Sequence, residues 1–333
     1  MGASMGGCFH ALPGLDAANY SRSPLHADSW AWVEKNCYVD VWIELLHSLG
    51  MDPCAALSMT LAVDFEGDQW TFFKPPHHEL WELYGVDVQE LTVWRPLIEH
   101  AKEHLSAGKL ISSEADAFWL PDTAGTDYRR QHTKSTIVLA NIDVGAERLG
   151  YFHNTGYFEL VGEDFRQLFR LGQPHDPAFM PLYAELVRTD RRHSLPGAEL
   201  RRLAGGYLRH QLARRPADNP LRKFQARFER ELPLMQAGDL GTYHLWAFAT
   251  IRQLGAAMEL AAAFVHWMWP EPNDGFDTAS AAFGQISQAS KTLILKAARA
   301  VNSKRALDAD PLFDDMAAAW ERGIGEVTRL ARA

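Results

Sequence analysis

The stretch HTKSTIVLANIDVGAERLGYFHNTGYFELV, residues 132–161, decides the fold. HTKSTIVLAN (132–141) is a β-branched apolar run opened by His132. IDVGAERL turns the chain, GYFHN (150–154) returns, and YFELV (157–161) makes a third pass. Segments this close in sequence pair as antiparallel neighbours. Working upstream, KLISSEADAFWLP (109–121) reads as another extended segment, limited by Pro121. SMTLAVDFEGDQWTFFK (58–74) reads as strand, turn at Gly67-Asp68, and strand.

Helical signals surround these strands. In NCYVDVWIELLHSLG (36–50), apolar side chains recur at Val41, Ile43, Leu45, Leu46 and Leu49, and Gly50 can stop the helix. HHELWELYG (77–85) and PLIEHAKEHLSAG (96–108) are two further helices with glycine stops, and residues 1–28 are loop-like. Beyond about residue 175 the β signal disappears. Ala-, Leu- and Arg-rich runs at 177–188, 197–215, 220–234, 241–269, 278–303 and 311–332 read as helices. The expectation is α+β: a domain over 1–175 with a helix packed on a small antiparallel sheet, then an all-helical domain over 176–333.

Composition narrows the function. With 333 residues, 47% hydrophobic and 23% charged, the chain can bury a large core. A formal charge of −9 argues against a general nucleic-acid binder. The charge is uneven, however: Arg188 to Arg230 carries 12 Lys or Arg against 4 Asp or Glu, a belt suited to an acidic protein partner. The oily run 244–269 contains Arg252 and Glu259, so it reads as a buried or interface helix rather than a membrane span. MGASMGGCFH lacks the basic start and apolar run of a secretory signal. Cys8, Cys37 and Cys54 are odd in number and widely spaced, which points to a reducing cytoplasm.

Cys37 opens its helix, where free N–H groups and the helix dipole favour thiolate, the reactive form. A thiolate needs a base and an orienter for that base. In papain-like enzymes the cysteine heads a helix, and the histidine and its Asn or Asp partner follow from the facing sheet. Here Cys37 is the candidate nucleophile and His132 the base. Asn154 is the orienter, with His153 or Asp116 as alternatives. The Cys37 N–H and the Asn36 side chain are the oxyanion donors. His77, His78 and Glu82 hint at a metal, but nothing nearby completes a ligand set.

The strings NCYVDVWIELLHSLG, AVDFEGDQWTFFK, YGVDVQEL, ADAFWLPDTAGTDYRR and RLGYFHNTGYF resemble the bacterial family catalogued as domain of unknown function 1839, over nearly the whole chain. More distantly, the layout from Gly108 to Asn154 is similar to the papain-like N-terminal part of butirosin-type acyltransferases, over roughly residues 30–170. That resemblance places the cysteine on Cys37 and the histidine on His132. The aspartate strand falls on GYFHN, which carries His153 and Asn154 instead. It implies acyl or aminoacyl transfer, in secondary metabolism, from a carrier-protein thioester to a small amine acceptor. No cofactor is implied beyond the carrier's phosphopantetheine. The competing expectations are a cysteine peptidase, amidase or thioester hydrolase, and a non-catalytic scaffold of the same fold.

Overall fold

The structure, a computed structural model, describes residues 7–174, 179–270 and 274–332. In chain order the elements begin with β1 (Cys8–His10), α1 (Cys37–Ser48), β2 (Phe65–Glu66), β3 (Gln69–Trp70), α2 (His77–Tyr84), β4 (Asp87–Glu90), α3 (Leu97–Ser106) and β5 (Leu110–Asp116). Next come β6 (Lys134–Asp143), β7 (Arg148–His153), β8 (Gly156–Val161), α4 (Glu163–Leu168) and β9 (Ala184–Arg188). Six helices follow: α5 (Gly197–Arg214), α6 (Pro220–Ala237), α7 (Leu240–Ala247), α8 (Gln253–Met268), α9 (Asp274–Ser303) and α10 (Asp310–Leu330). The chain is α+β, with an antiparallel sheet and a helical C-terminal region.

Two compact units form. The first takes residues up to Ala27, Cys37–Met51 and His77–Ser194; the second takes Asp28–Asn36, Asp52–Pro76 and the chain from Leu195. The division at Ser194 falls later than the expected 175, because β9 belongs to the sheet. The run 177–188, expected as helix, contains the strand AELVR, which pairs with both β4 and β5. Ala184, Glu185 and Val187 are buried, as suits a strand between two neighbours; residues 177 and 178 lie outside the described residues.

In the first unit the sheet order is β4-β9-β5-β6-β7-β8, with β1 also pairing β6. The 132–161 meander appears as read, with β6–β7 and β7–β8 antiparallel. β6 is buried along eight successive residues because both its faces are covered. α1 lies on one face, and α3 on the other, over a core that includes Ile111, Ile137, Leu139, Tyr151 and Phe165. α1 is more enclosed than a one-sided amphipathic helix. Tyr38 to Leu46 are all buried, Asp40 and Glu44 among them.

Those two carboxylates need a cation, and the supposedly loop-like N-terminal region supplies it. His26, fully buried, lies 3.0 Å from Asp40 and also bonds Glu44. Glu44 accepts further bonds from the Tyr20 hydroxyl at 2.7 Å and the Ser23 N–H at 3.0 Å. Burial pushes the imidazole pKa down, but the two carboxylates outweigh it and raise the value to about 9.

Gly85 ends α2 with φ of 68°, a left-handed conformation that favours glycine. A Cβ there would lie 2.1 Å from the Arg191 carbonyl oxygen. Gly85→Ala is therefore expected to cost about 1–3 kcal/mol, read as a lower urea midpoint at unchanged slope.

In the second unit, helices α5–α10 pack with the segment 53–62, a buried 3-10 run that takes the first residues of the strand expected from residue 58. Pro53 starts this run and Asp52 caps it through the Cys54 N–H. Only the short β2–β3 pair remains of the strand–turn–strand reading. The oily stretch 244–269 divides into α7, a π-helical turn at Phe248–Arg252, and α8. Leu240–Met268 is long and apolar enough to cross a membrane by length and composition, and 72% of its most apolar window is buried. Its one acid, Glu259, accepts from the Ala31 and Trp32 N–H groups and from Lys35 Nζ at 2.9 Å.

Candidate functional site

Cys37 is the first residue of α1 and is partly exposed. Its sulfur meets a hydroxyl: Sγ lies 3.8 Å from Thr136 Oγ1 on β6. From Thr136 a polar ladder continues along the same face of β5 and β6. Glu114 is the register partner of Thr136, Asp116 that of Lys134, and Lys134 Nζ bonds Glu114 Oε1 at 3.2 Å. His132 closes the ladder, with Nδ1 2.6 Å from Asp116 Oδ2 and its ring stacked on Phe118 at 4.4 Å between centroids.

The Cys37–His132 dyad expected from sequence does not form. His132 precedes Thr136 by four residues, about 13 Å of extended chain, and its side chain is 68% exposed at the far end of the ladder. No hydrogen bond joins Cys37 to an imidazole among the described residues. Asp116 does orient His132, so that pair exists without its nucleophile.

The remaining expected partners have other roles. Asn154 sits at φ 42° in the tight turn between β7 and β8, a conformation asparagine tolerates. Asn36 is buried and its Nδ2 donates to the Phe73 carbonyl at 3.0 Å, a structural use of the amide expected at the oxyanion. His153 lies on the opposite face of the sheet. Ser135 and Thr136 are consecutive in β6, so their side chains point to opposite faces. Cys37 meets Thr136, whereas His153 Nε2 meets Ser135 Oγ at 2.6 Å. His153 Nδ1 bonds Asp122 Oδ2 at 2.6 Å, and the Tyr151 hydroxyl donates to Asp122 Oδ1 at 2.5 Å. This Ser–His–Asp chain is enclosed: His153 is 1% exposed.

A third cluster adjoins α1 by sequence. Tyr38 follows Cys37, and its hydroxyl lies 3.0 Å from both oxygens of Glu185 and 2.9 Å from His77 Nε2. Tyr183 donates to the same carboxylate at 2.9 Å, and His77 Nε2 lies 3.3 Å from it. Burial alone would raise the Glu185 pKa. Hydrogen bonds from His77 and Tyr183 outweigh that, so the net shift is downward and the carboxylate stays ionised. Tyr38 and Tyr183 shift upward, first from burial and then from Glu185, so both remain donors. Sequence reasoning singled out His77 for a metal but missed this pairing. Glu185 lay in a segment expected to be helical, and nothing else in the sequence links β9 to α2.

The decisive comparison concerns the whole chain. Residues 21–189 match the model of the DUF1839 N-terminal domain, and residues 197–329 match that of the DUF1839 C-terminal domain. The chain belongs to the DUF1839 family. The two DUF1839 matches meet between 189 and 197, where the division at Ser194 also falls. No match was found among curated proteins.

Proposed function

We propose that this chain transfers an acyl or aminoacyl group from a carrier-protein thioester to an amine, through an acyl-Cys37 intermediate on a papain-like core. One observation carries the reading: the partly exposed sulfur at the head of α1 faces the Thr136 hydroxyl and no imidazole among the described residues. Amide cleavage needs an acid to protonate the departing amine, and that acid is usually the imidazolium of a Cys–His pair. Thioester exchange has no such requirement. The Cys37 thiolate adds to the donor carbonyl, a carbon–sulfur bond forms, and the carrier's sulfur leaves as a thiolate. The amine then attacks the new thioester, a carbon–nitrogen bond forms, the nitrogen gives up its proton to solvent, and Cys37 leaves as thiolate. Thr136 Oγ1, 3.8 Å from the sulfur, is placed to accept from the Cys37 thiol at the head of α1. Among the described residues no imidazole is hydrogen-bonded to Cys37, which favours an activated donor over the peptidase and amidase readings.

The basic belt supports an acidic carrier, in a narrower form than the sequence count. Arg188, Arg222, Lys223 and Arg227 are engaged with Asp87, Asp314, Asp64 and Glu231. Along α5, Arg202, Arg209 and Arg214 remain exposed.

The test is intact-mass analysis after mixing the protein with glycyl-pantetheine thioester, alongside a glycyl anilide of matched size. The expected result is one glycyl increment on the protein from the thioester, none from the anilide, and none in Cys37→Ala. Turnover of the anilide that depends on Cys37 would overturn the reading in favour of an amidase. No increment from either donor would overturn it in favour of a non-catalytic protein.

A further inference from the structure

The buried carboxylate of Glu185 accepts hydrogen bonds from Tyr38 and Tyr183, yet no lysine or arginine pairs with it among the described residues. Its side chain is 0% exposed, and an ionised group so placed calls for a positive charge nearby. The imidazole beside it is His77, 32% exposed and pointing Nε2 inward at Glu185 and Tyr38. With Nε2–H donated inward, the lone pair of Nδ1 is left for the outward side. His77 lines a cavity of about 350 Å³ together with His78, Trp81, Asp87, Val88 and Gln89. Trp81 is an exposed large ring on its wall. Asp87 is already paired with Arg188, so the cavity gains no further net charge from that couple. An ionised carboxylate behind an imidazole, an indole face, and a small cavity in front form the recognition set for a small organic cation.

We propose that this cavity binds a small primary amine and that His77 Nδ1 takes a proton from the ammonium group. The nitrogen–hydrogen bond of the ammonium breaks, its electron pair stays on the now neutral amine, and the proton leaves an imidazolium paired with Glu185. Glu185 is a positioning residue, fixing the tautomer that presents Nδ1 outward. The role of this amine as acyl acceptor rests on the transfer reading above, whereas its binding does not.

The experiment is ring ¹⁵N NMR of histidine-labelled full-length protein, with the His77 signals assigned by His77→Gln. The resting ring is expected as the Nε2–H tautomer. Titration with n-butylamine should give a saturable shift at His77 Nδ1, and n-butanol and n-butyrate should give none. Glu185→Gln is expected to weaken amine binding about tenfold and to mix the tautomers. Trp81→Leu, at a more exposed position, should weaken it about threefold while leaving the tautomer intact. In Cys37→Ala the amine shift should persist. Its persistence alongside a failed thioester reaction would sustain the site and reject only the transfer role. An absent shift, or an equal one with butanol, would overturn the amine site, as would an Nδ1–H resting tautomer.

Discussion

Replacing His26 by alanine is expected to destabilise the first unit by about 3–5 kcal/mol, the cost of removing one partner from a buried ion pair. The imidazolium stands between Asp40 and Glu44, all three with 0% side-chain exposure. Without it, two carboxylates four residues apart on α1 remain buried with no imidazole between them. The wild-type protein carries a pH signature of the same contact. The folded pKa of about 9 exceeds the ordinary 6.5, so the folded state holds the proton more tightly than the unfolded chain. The stabilisation is complete below pH 6.5 and is lost as pH rises through about 9. That difference corresponds to about 3 kcal/mol. Urea denaturation from pH 6 to 10 should show the decline in the wild type. In His26→Ala the decline should be missing. A variant with unchanged stability at neutral pH would show that the pair contributes nothing net.

The legible parts of this sequence were those whose signal is local. The 132–161 meander declared itself through alternation and turns, and α1 through its apolar spacing and Gly50, because each requires only neighbouring residues. β9 was lost because AELVR is short and its Ala, Glu, Leu and Arg are themselves helix formers. Its pairing with β4 and β5 spans dozens of residues and leaves no local trace. The candidate site failed for the same physical reason at finer scale. Sequence paired Cys37 at a helix head with His132 from the facing sheet, but side-chain reach depends on register. The register puts Thr136 at the sulfur and His132 two side-chain repeats beyond it. Two signals were present and unread. Asp40 and Glu44, one helical turn apart on an apolar helix, already required a buried cation. His153, whose position on β7 has the parity of the core residue Tyr151, required a buried acceptor.

That acceptor is Asp122, and removing it supplies the second large effect. Nδ1–H of His153 donates to Asp122, Nε2 lies 2.6 Å from the Ser135 hydroxyl, and Tyr151 donates to the other Asp122 oxygen. Every polar atom of the chain is satisfied only while the carboxylate is present, because it alone accepts from two donors. Asp122→Ala leaves the Tyr151 hydroxyl and one imidazole N–H buried without their acceptor, a loss of about 1–3 kcal/mol for each orphaned group. The combined expectation is about 3–5 kcal/mol, since the two donors share one acceptor and their losses do not simply add. Ser135→Ala removes a single hydroxyl at the end of the chain and should cost about 1 kcal/mol. Chemical denaturation of the two variants reads this asymmetry directly. Glycyl loading of Cys37 in Ser135→Ala provides the functional control, because Ser135 faces away from the sulfur across β6. If Ser135→Ala abolished loading while remaining folded, the Ser–His–Asp chain would be chemical machinery and not a strut. If Asp122→Ala were as stable as wild type, the loop carrying Asp122 would be held to the sheet by something other than this carboxylate.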